Sequence, residues 1–252
     1  MGFLYGLVSF GLFVLLWQSL FMLLKLPVFI LPSPKMVLEK FLSIFINGTW
    51  WHHLSWTLLE IILGLLIGLT AAMLIGYALS KLPKMERILS PFLVGSSSLP
   101  MVAVAPLLII WFGIGLGSKV LICALTVFFP VLVNVLVGLR ETPQELHQLM
   151  RSLNASPWQK LWLMEVPGAM PVLLGGLRVG TTLSVIGAIV GELVSSDRGL
   201  GFLINVGRGQ YDTALVFVAV LSLIFMASLL YYAVLLLERK VLAWQTWRRD
   251  QI

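Results

Sequence analysis

Residues 142–171, TPQELHQLMRSLNASPWQKLWLMEVPGAMP, form the longest stretch of this chain that suits water. Almost everything around them suits lipid. Of 252 residues, 59% are hydrophobic and only 11% charged, with a mean hydropathy of +1.00. Soluble domains carry roughly 25% charged residues, so the composition implies an integral membrane protein with no separate soluble domain. Residues 1–252 read as one membrane domain. Cys123 is the single cysteine and lies inside an apolar run, which excludes a disulfide framework and a thiolate metal site. The +6 net charge is gathered at the ends of apolar runs, where basic residues anchor helices, and does not suggest nucleic acid.

Runs long enough to cross about 30 Å of hydrocarbon lie near 3–24, 54–80, 91–113, 119–139, 169–195 and 213–238. The expected fold is all-α and polytopic, with six transmembrane helices. The first run is too long for a signal-peptide core and is expected to remain as a span. Pro91, Pro100 and Pro106 in the third run predict a broken helix buried among its neighbours. With both termini cytoplasmic, basic residues number ten inside and six outside, as the positive-inside rule prefers. Residues 142–168 then face the cytoplasm. On the other side, a short helix near 35–46 is expected along the interface, with Trp50, Trp51 and Trp56 in the headgroup belt. His52 and His53 are adjacent and point apart on a helix, so they cannot chelate one metal. The pairs Gly64/Gly68, Gly176/Gly180 and Gly187/Gly191 have the four-residue spacing that lets membrane helices approach closely.

The opening segment carries helix punctuation. Thr142-Pro-Gln-Glu145 reads as a capping box with proline at the first helical position. Leu146, Leu149, Met150 and Leu153 follow as one narrow apolar stripe. Asn154 suits a left-handed helix end, and Ser156-Pro-Trp-Gln159 repeats the starting signature. A second helix carrying Trp158, Leu161 and Trp162 is expected to run until Pro167 breaks it.

The order of residues in this segment resembles the cytoplasmic loop of ABC importer permeases, patterned E-A-A, three residues, G, nine residues, I, one residue, L-P. That pattern falls on Gln148-Leu149-Met150, Asn154, Met164 and Val166-Pro167. Only Pro167 is identical, and the other changes keep size, helix propensity or turn capacity. The flanks LPSP, SSSLPMVAVAPLLIIWFGIGLGSKV, FFPVLVNVLVGLR and IGAIVGELVSSDRGLGFLI are similar, in order, to permeases of the nitrate/sulfonate/taurine importer family. That family includes permeases for thiamine-precursor pyrimidines. The resemblance implies a permease subunit of the bacterial inner membrane that homodimerises, binds two cytoplasmic ATPases and receives substrate from an extracytoplasmic binding protein. It further implies that Glu145, Leu146, Gln148, Leu149, Met150, Leu153, Asn154 and Ala155 form the part that couples to the ATPase. The chain has no G-x-x-x-x-G-K-[ST], so ATP and magnesium are expected on the partner and no cofactor or metal on this chain.

Glu60, Asn134 and Glu192 lie in apolar stretches and are candidates for the translocation path, since intramembrane polar groups default to function. Glu60 can alternatively pair with an interfacial lysine or arginine or snorkel, Asn134 can pair with a neighbouring helix, Glu192 can orient the SSDRGLGFLI loop, and Arg178 reads as one half of an ion pair or a lipid-phosphate contact. Members that move sulfonates or nitrate often have arginine at the position of Glu60. An acid there would repel free anions, which favours a thiamine-precursor pyrimidine or similar heterocycle over sulfonate, taurine or nitrate. An enzyme would need a paired catalytic set, and no aspartate lies in a span core. A stand-alone secondary carrier would show an internal repeat, and none is evident.

Overall fold

The computed structural model describes residues 2–24, 27–140 and 144–243. Their regular structure is helical, with no strand among the described residues. The helices are α1 (Gly2–Leu24), α2 (Pro34–Ile46), α3 (Thr49–Ser80), α4 (Pro83–Ser97), α5 (Met101–Phe112), α6 (Leu116–Arg140), α7 (Gln144–Ser152), α8 (Pro157–Lys160), α9 (Val166–Val194), α10 (Leu200–Gly209) and α11 (Thr213–Val241). A π turn, Leu161–Glu165, joins α8 to α9. Thr142 and Pro143, the expected start signal of α7, lie outside the described residues, as do the topology markers Lys25, Arg248 and Arg249.

Among the described residues, four helices are long and apolar enough to cross a membrane: Thr49–Ser80, Leu116–Leu139, Pro157–Val194 and Thr213–Val241. The pair α4 and α5 makes a fifth if counted as one span, bent by 98°. Within α1, the segment Gly11–Leu24 is apolar but by itself shorter than a full crossing. The structure therefore supports four to five spans of the expected six. The break between α4 and α5 falls at Ser98–Pro100, because a proline supplies no N–H to continue the ladder and biases its predecessor away from helix. Pro91 and Pro106 are absorbed inside their helices. The broken span is not enclosed as expected. Ala105 and Leu108 are buried against Ile122 and Val190, yet Phe92, Val102, Ile110 and Trp111 are exposed.

The chain divides into two compact units. One comprises residues 1–58 and 196–225. Its core is Val37, Ile44, Trp50, Leu215 and Val218, with Trp17 and Phe41 packed against it. Trp50 is thus a core residue rather than a headgroup anchor, and its indole N–H donates to Ser222 Oγ at 2.8 Å. A buried indole needs that acceptor. Trp51 remains exposed, as a belt residue should be. Ser33 caps α2, and Lys40 pairs with Asp212 at 2.5 Å.

The other unit comprises residues 59–195 and 226–252. Helices α6 and α9 share its most extensive contact. Glycines make this possible. A Cβ on Gly64 of α3 would sit 2.2 Å from Cys123 Cβ, and one on Gly68 would sit 2.5 Å from the Ala124 carbonyl oxygen. From α9, a Cβ on Gly187 would meet Cys123 Cα at 2.8 Å, and one on Gly180 would meet Val127 at 3.3 Å. Gly176 and Gly191 face Asn134 and Lys119. All three glycine pairs read from spacing alone therefore mark where α3 and α9 close on α6. Between them, Ala72, Val127, Val131, Leu132 and Val135 fill the core.

Overpacking such a contact costs about 1–3 kcal/mol. Gly64→Ala should therefore lower the melting temperature of the detergent-solubilised protein by on the order of 2–10 °C. Gly175→Ala, where an added Cβ meets nothing within 4 Å, should not. Equal melting of the two variants in a thermal-shift measurement would contradict the interleaving.

Candidate functional site

The water-suited segment folds as its punctuation dictates. Helix α7 ends in a two-bond lock: the Ala155 N–H reaches back to the Met150 carbonyl and the Asn154 N–H to the Arg151 carbonyl, both at 3.0 Å. This is the Schellman arrangement, which requires a left-handed residue at the turn. Asn154 supplies it, with φ +48°. Two residues on, Ser156 and Gln159 form a reciprocal capping box: the Gln159 N–H donates to Ser156 Oγ at 3.3 Å and the Ser156 N–H to Gln159 Oε1 at 2.8 Å. Both ends of the hinge are therefore fixed by specific hydrogen bonds, and the angle between α7 and α8 is set locally.

The apolar stripe of α7 faces outward. Leu149 is 50% exposed and Leu153 65%, with Leu146 also exposed and Met150 half-buried. Glu145 and Gln148 share the exposed surface, and Ala155 is half-buried. Trp158 and Trp162 meet edge to face at 5.6 Å, and both are exposed.

Pro167 does not break the second helix. The π turn absorbs it: the Val166 N–H bonds to the Leu161 carbonyl, five residues back, and the helix then runs on through Pro167 to Val194. A π turn already leaves one carbonyl without a helical partner, so a residue lacking an N–H does least harm just after it. The outcome is one continuous helical rod from Pro157 to Val194. Glu165 on the π turn is buried and accepts from Lys81 Nζ at 2.5 Å, tying the rod to the end of α3. Lys81 also lies over the Tyr77 ring at 4.8 Å. Burial alone would lower the Lys81 pKa, but the hydrogen bond and charge of Glu165, with help from Tyr77, hold it above the usual lysine value. A raised basic pKa stabilises the fold below the unfolded value, about 10.4 for lysine, and loses that contribution only as pH climbs through the folded one. The pair is thus intact across the physiological range.

The intramembrane candidates sit within the helix packing. Glu60 is wholly buried and paired with Lys119 Nζ at 2.9 Å, the lysine side chain being 5% exposed. Lys119 lies in the first turn of α6, and Glu192 on α9 is equally buried. Both carboxylates and Lys119 lie within electrostatic reach of Cys123. Glu60 is therefore engaged inside the α3–α6 packing, with Lys119 against it. Asn134 is half-buried against Gly176, on the helix-pairing side of its two readings. Arg178 forms the ion pair that was one of its readings, with Glu238, and stacks over Tyr231 at 5.7 Å.

Sequence reasoning missed His53. It is buried, and its Nδ1 accepts the Gly199 N–H at 3.0 Å, while Thr57 Oγ1 accepts the Leu200 N–H at 2.8 Å. One turn of α3 thereby satisfies the first orphan donors of α10. Gly199, at φ +102°, has the conformation that presents its N–H there. The spacing of His53 and Thr57, four apart on one helix face, was the available signal.

The chain matches the family described as "Binding-protein-dependent transport system inner membrane component" over residues 64–243. It belongs to this family. It is accordingly the permease subunit of an ABC importer in the membrane, a transport component rather than an enzyme. A riboflavin transport system permease of Chloroflexus aurantiacus is 42% identical over 94% of this chain and 89% of that one. The taurine transport system permease of Escherichia coli is 35% identical, covering 90% and 84%. A formylaminopyrimidine transport permease of Halalkalibacterium halodurans is 30% identical, covering 94% of each. The inward-facing methionine ABC transporter shares the fold, with TM-score 0.68 over 81% of this chain and 98% of that chain, at 20% identity.

If the Asn154 hinge sets the angle of α7, Asn154→Gly should preserve transport by the permease. Asn154→Val, strained by on the order of 1–3 kcal/mol at positive φ, should reduce uptake into vesicles several-fold. Equal uptake by the two variants would sink the hinge.

Proposed function

We propose that this permease acts as a homodimer carrying two cytoplasmic ATPases, and that α7 is the element they grip. The observation that carries this reading is the exposed stripe Leu146, Leu149 and Leu153 on a helix whose exit angle is fixed by Asn154. An apolar stripe on a short helix suits docking into a groove. Closure of the ATPases would turn α7, and the hydrogen-bonded hinge would pass that rotation to the rod from Pro157 to Val194. In this account ATP and magnesium are held by the partner, both termini lie in the cytoplasm, and an extracytoplasmic binding protein delivers the substrate.

The substrate in this reading is a small neutral aromatic heterocycle of the flavin or pyrimidine class. Lys119 sits against Glu60, so that carboxylate is not left as a bare charge facing an ionic substrate. The riboflavin and formylaminopyrimidine permeases among the relatives move such rings. The taurine relative supports the second reading, a sulfonate. Uptake of riboflavin against taurine by the reconstituted complex separates them.

Leu149→Asp places a charge where an apolar groove is expected, at a cost of several kcal/mol. The variant should insert normally but fail to co-purify with the ATPase and lose uptake. Assembly at wild-type yield would refute α7 as the docking element.

A further inference from the structure

A cavity of about 170 Å³ lies where the broken span meets α6 and α9. Its walls are formed by Ser96 and Ser97 at the end of α4, Leu125, Thr126 and Phe129 halfway along α6, and Val190 of α9, among others. None of the residues lining it is charged. Within hydrocarbon, irregular backbone such as Ser98–Pro100 is tolerated only where protein or a water-lined space covers it, and broken spans at such depths commonly frame the path of a transported solute. An apolar cavity of about 150 Å³ accommodates a benzene ring. The space here is an open cleft, with Leu99, Val102 and Ile186 exposed at its rim, and it has room for one six-membered ring.

We infer that this cavity is a transit site that takes an aromatic ring of the passing substrate. Resting on the permease reading above, the site gives that reading its selectivity. Leu125, Phe129 and Val190 supply flat apolar walls. Thr126 Oγ1 donates its proton to the Ile122 carbonyl at 2.6 Å, which leaves its lone pairs free to accept from a ring N–H. Ser97 Oγ donates likewise to the Val94 carbonyl at 2.6 Å. Hydroxyls committed in this way present acceptors rather than donors, which fits the imide or amino edge of a pyrimidine or flavin. A sulfonate needs cations or several donors to replace its water, and this lining supplies neither.

The test uses the permease assembled with its ATPase and binding protein in vesicles, with riboflavin and taurine as probes. Val190→Phe fills the cavity with a ring of the protein's own. It should cut riboflavin uptake at least tenfold while ATPase co-purification stays at the wild-type level. Ser97→Cys gives a second measurement that does not depend on transport, since the native Cys123 is buried and unreactive. Riboflavin should slow its labelling by N-ethylmaleimide at least threefold, and taurine should not. Undiminished riboflavin uptake by Val190→Phe, or equal protection by the two probes, would overturn the site while leaving the permease assignment intact. Failure of the wild-type chain to assemble with any ATPase would overturn both.

Discussion

A lysine and a glutamate that never meet water, Lys119 and Glu60, fix how this membrane domain is put together. Two charges can stay at such a place only if they stay together. Desolvating each costs several kcal/mol, and only close, hydrogen-bonded geometry recovers it. The pair therefore pins the start of α6 to α3 at one register. Below it, glycines at 64 and 68 let α3 lie directly on the backbone of α6, and those at 180 and 187 bring α9 in from the other side. Cys123 sits at the crossing, with a backbone-level contact on each flank. Small residues remove the distance that side chains would impose, and the ion pair removes the freedom to slide.

The same packing reaches the segment that carries α7 and α8. The helix from Pro157 to Val194 is at once the continuation of the hinge and the partner of α6. In the proposed coupling, a rotation imposed at α7 would reach the core along this continuous helix. The Lys81–Glu165 pair adds a second link, from the π turn to the end of α3. α3 is thus tied at two points, to α6 by the Glu60–Lys119 pair and to the start of α9 by the Lys81–Glu165 pair.

Local chemistry was legible in the sequence, and so was close packing. Asn154 announced its left-handed turn because few other residues tolerate it, and Ser156 and Gln159 announced their capping box because the two side chains answer each other across one turn. The glycine pairs predicted where helices meet, since their spacing is a property of helix geometry. The partner of Glu60 was not legible, because Lys119 is 59 positions away and only the fold brings them together. The π turn left no signature either: it is a slip of hydrogen-bond register, and Pro167 looked like a stop because proline usually is one. His53 was missed for a related reason. A histidine near a helix start suits an interface as well as a cap, and the N–H groups it satisfies belong to residues 199 and 200.

The central claim is that Lys119 and Glu60 are held by each other, and the most direct measurement is thermal unfolding of Lys119→Met with and without Glu60→Gln. Removing the lysine alone strands a buried carboxylate and should cost about 3–5 kcal/mol, whereas neutralising both partners should restore most of that stability. If Lys119→Met melts with the wild type, or if adding Glu60→Gln recovers nothing, the pair does not fix the register of α6 and this account is wrong.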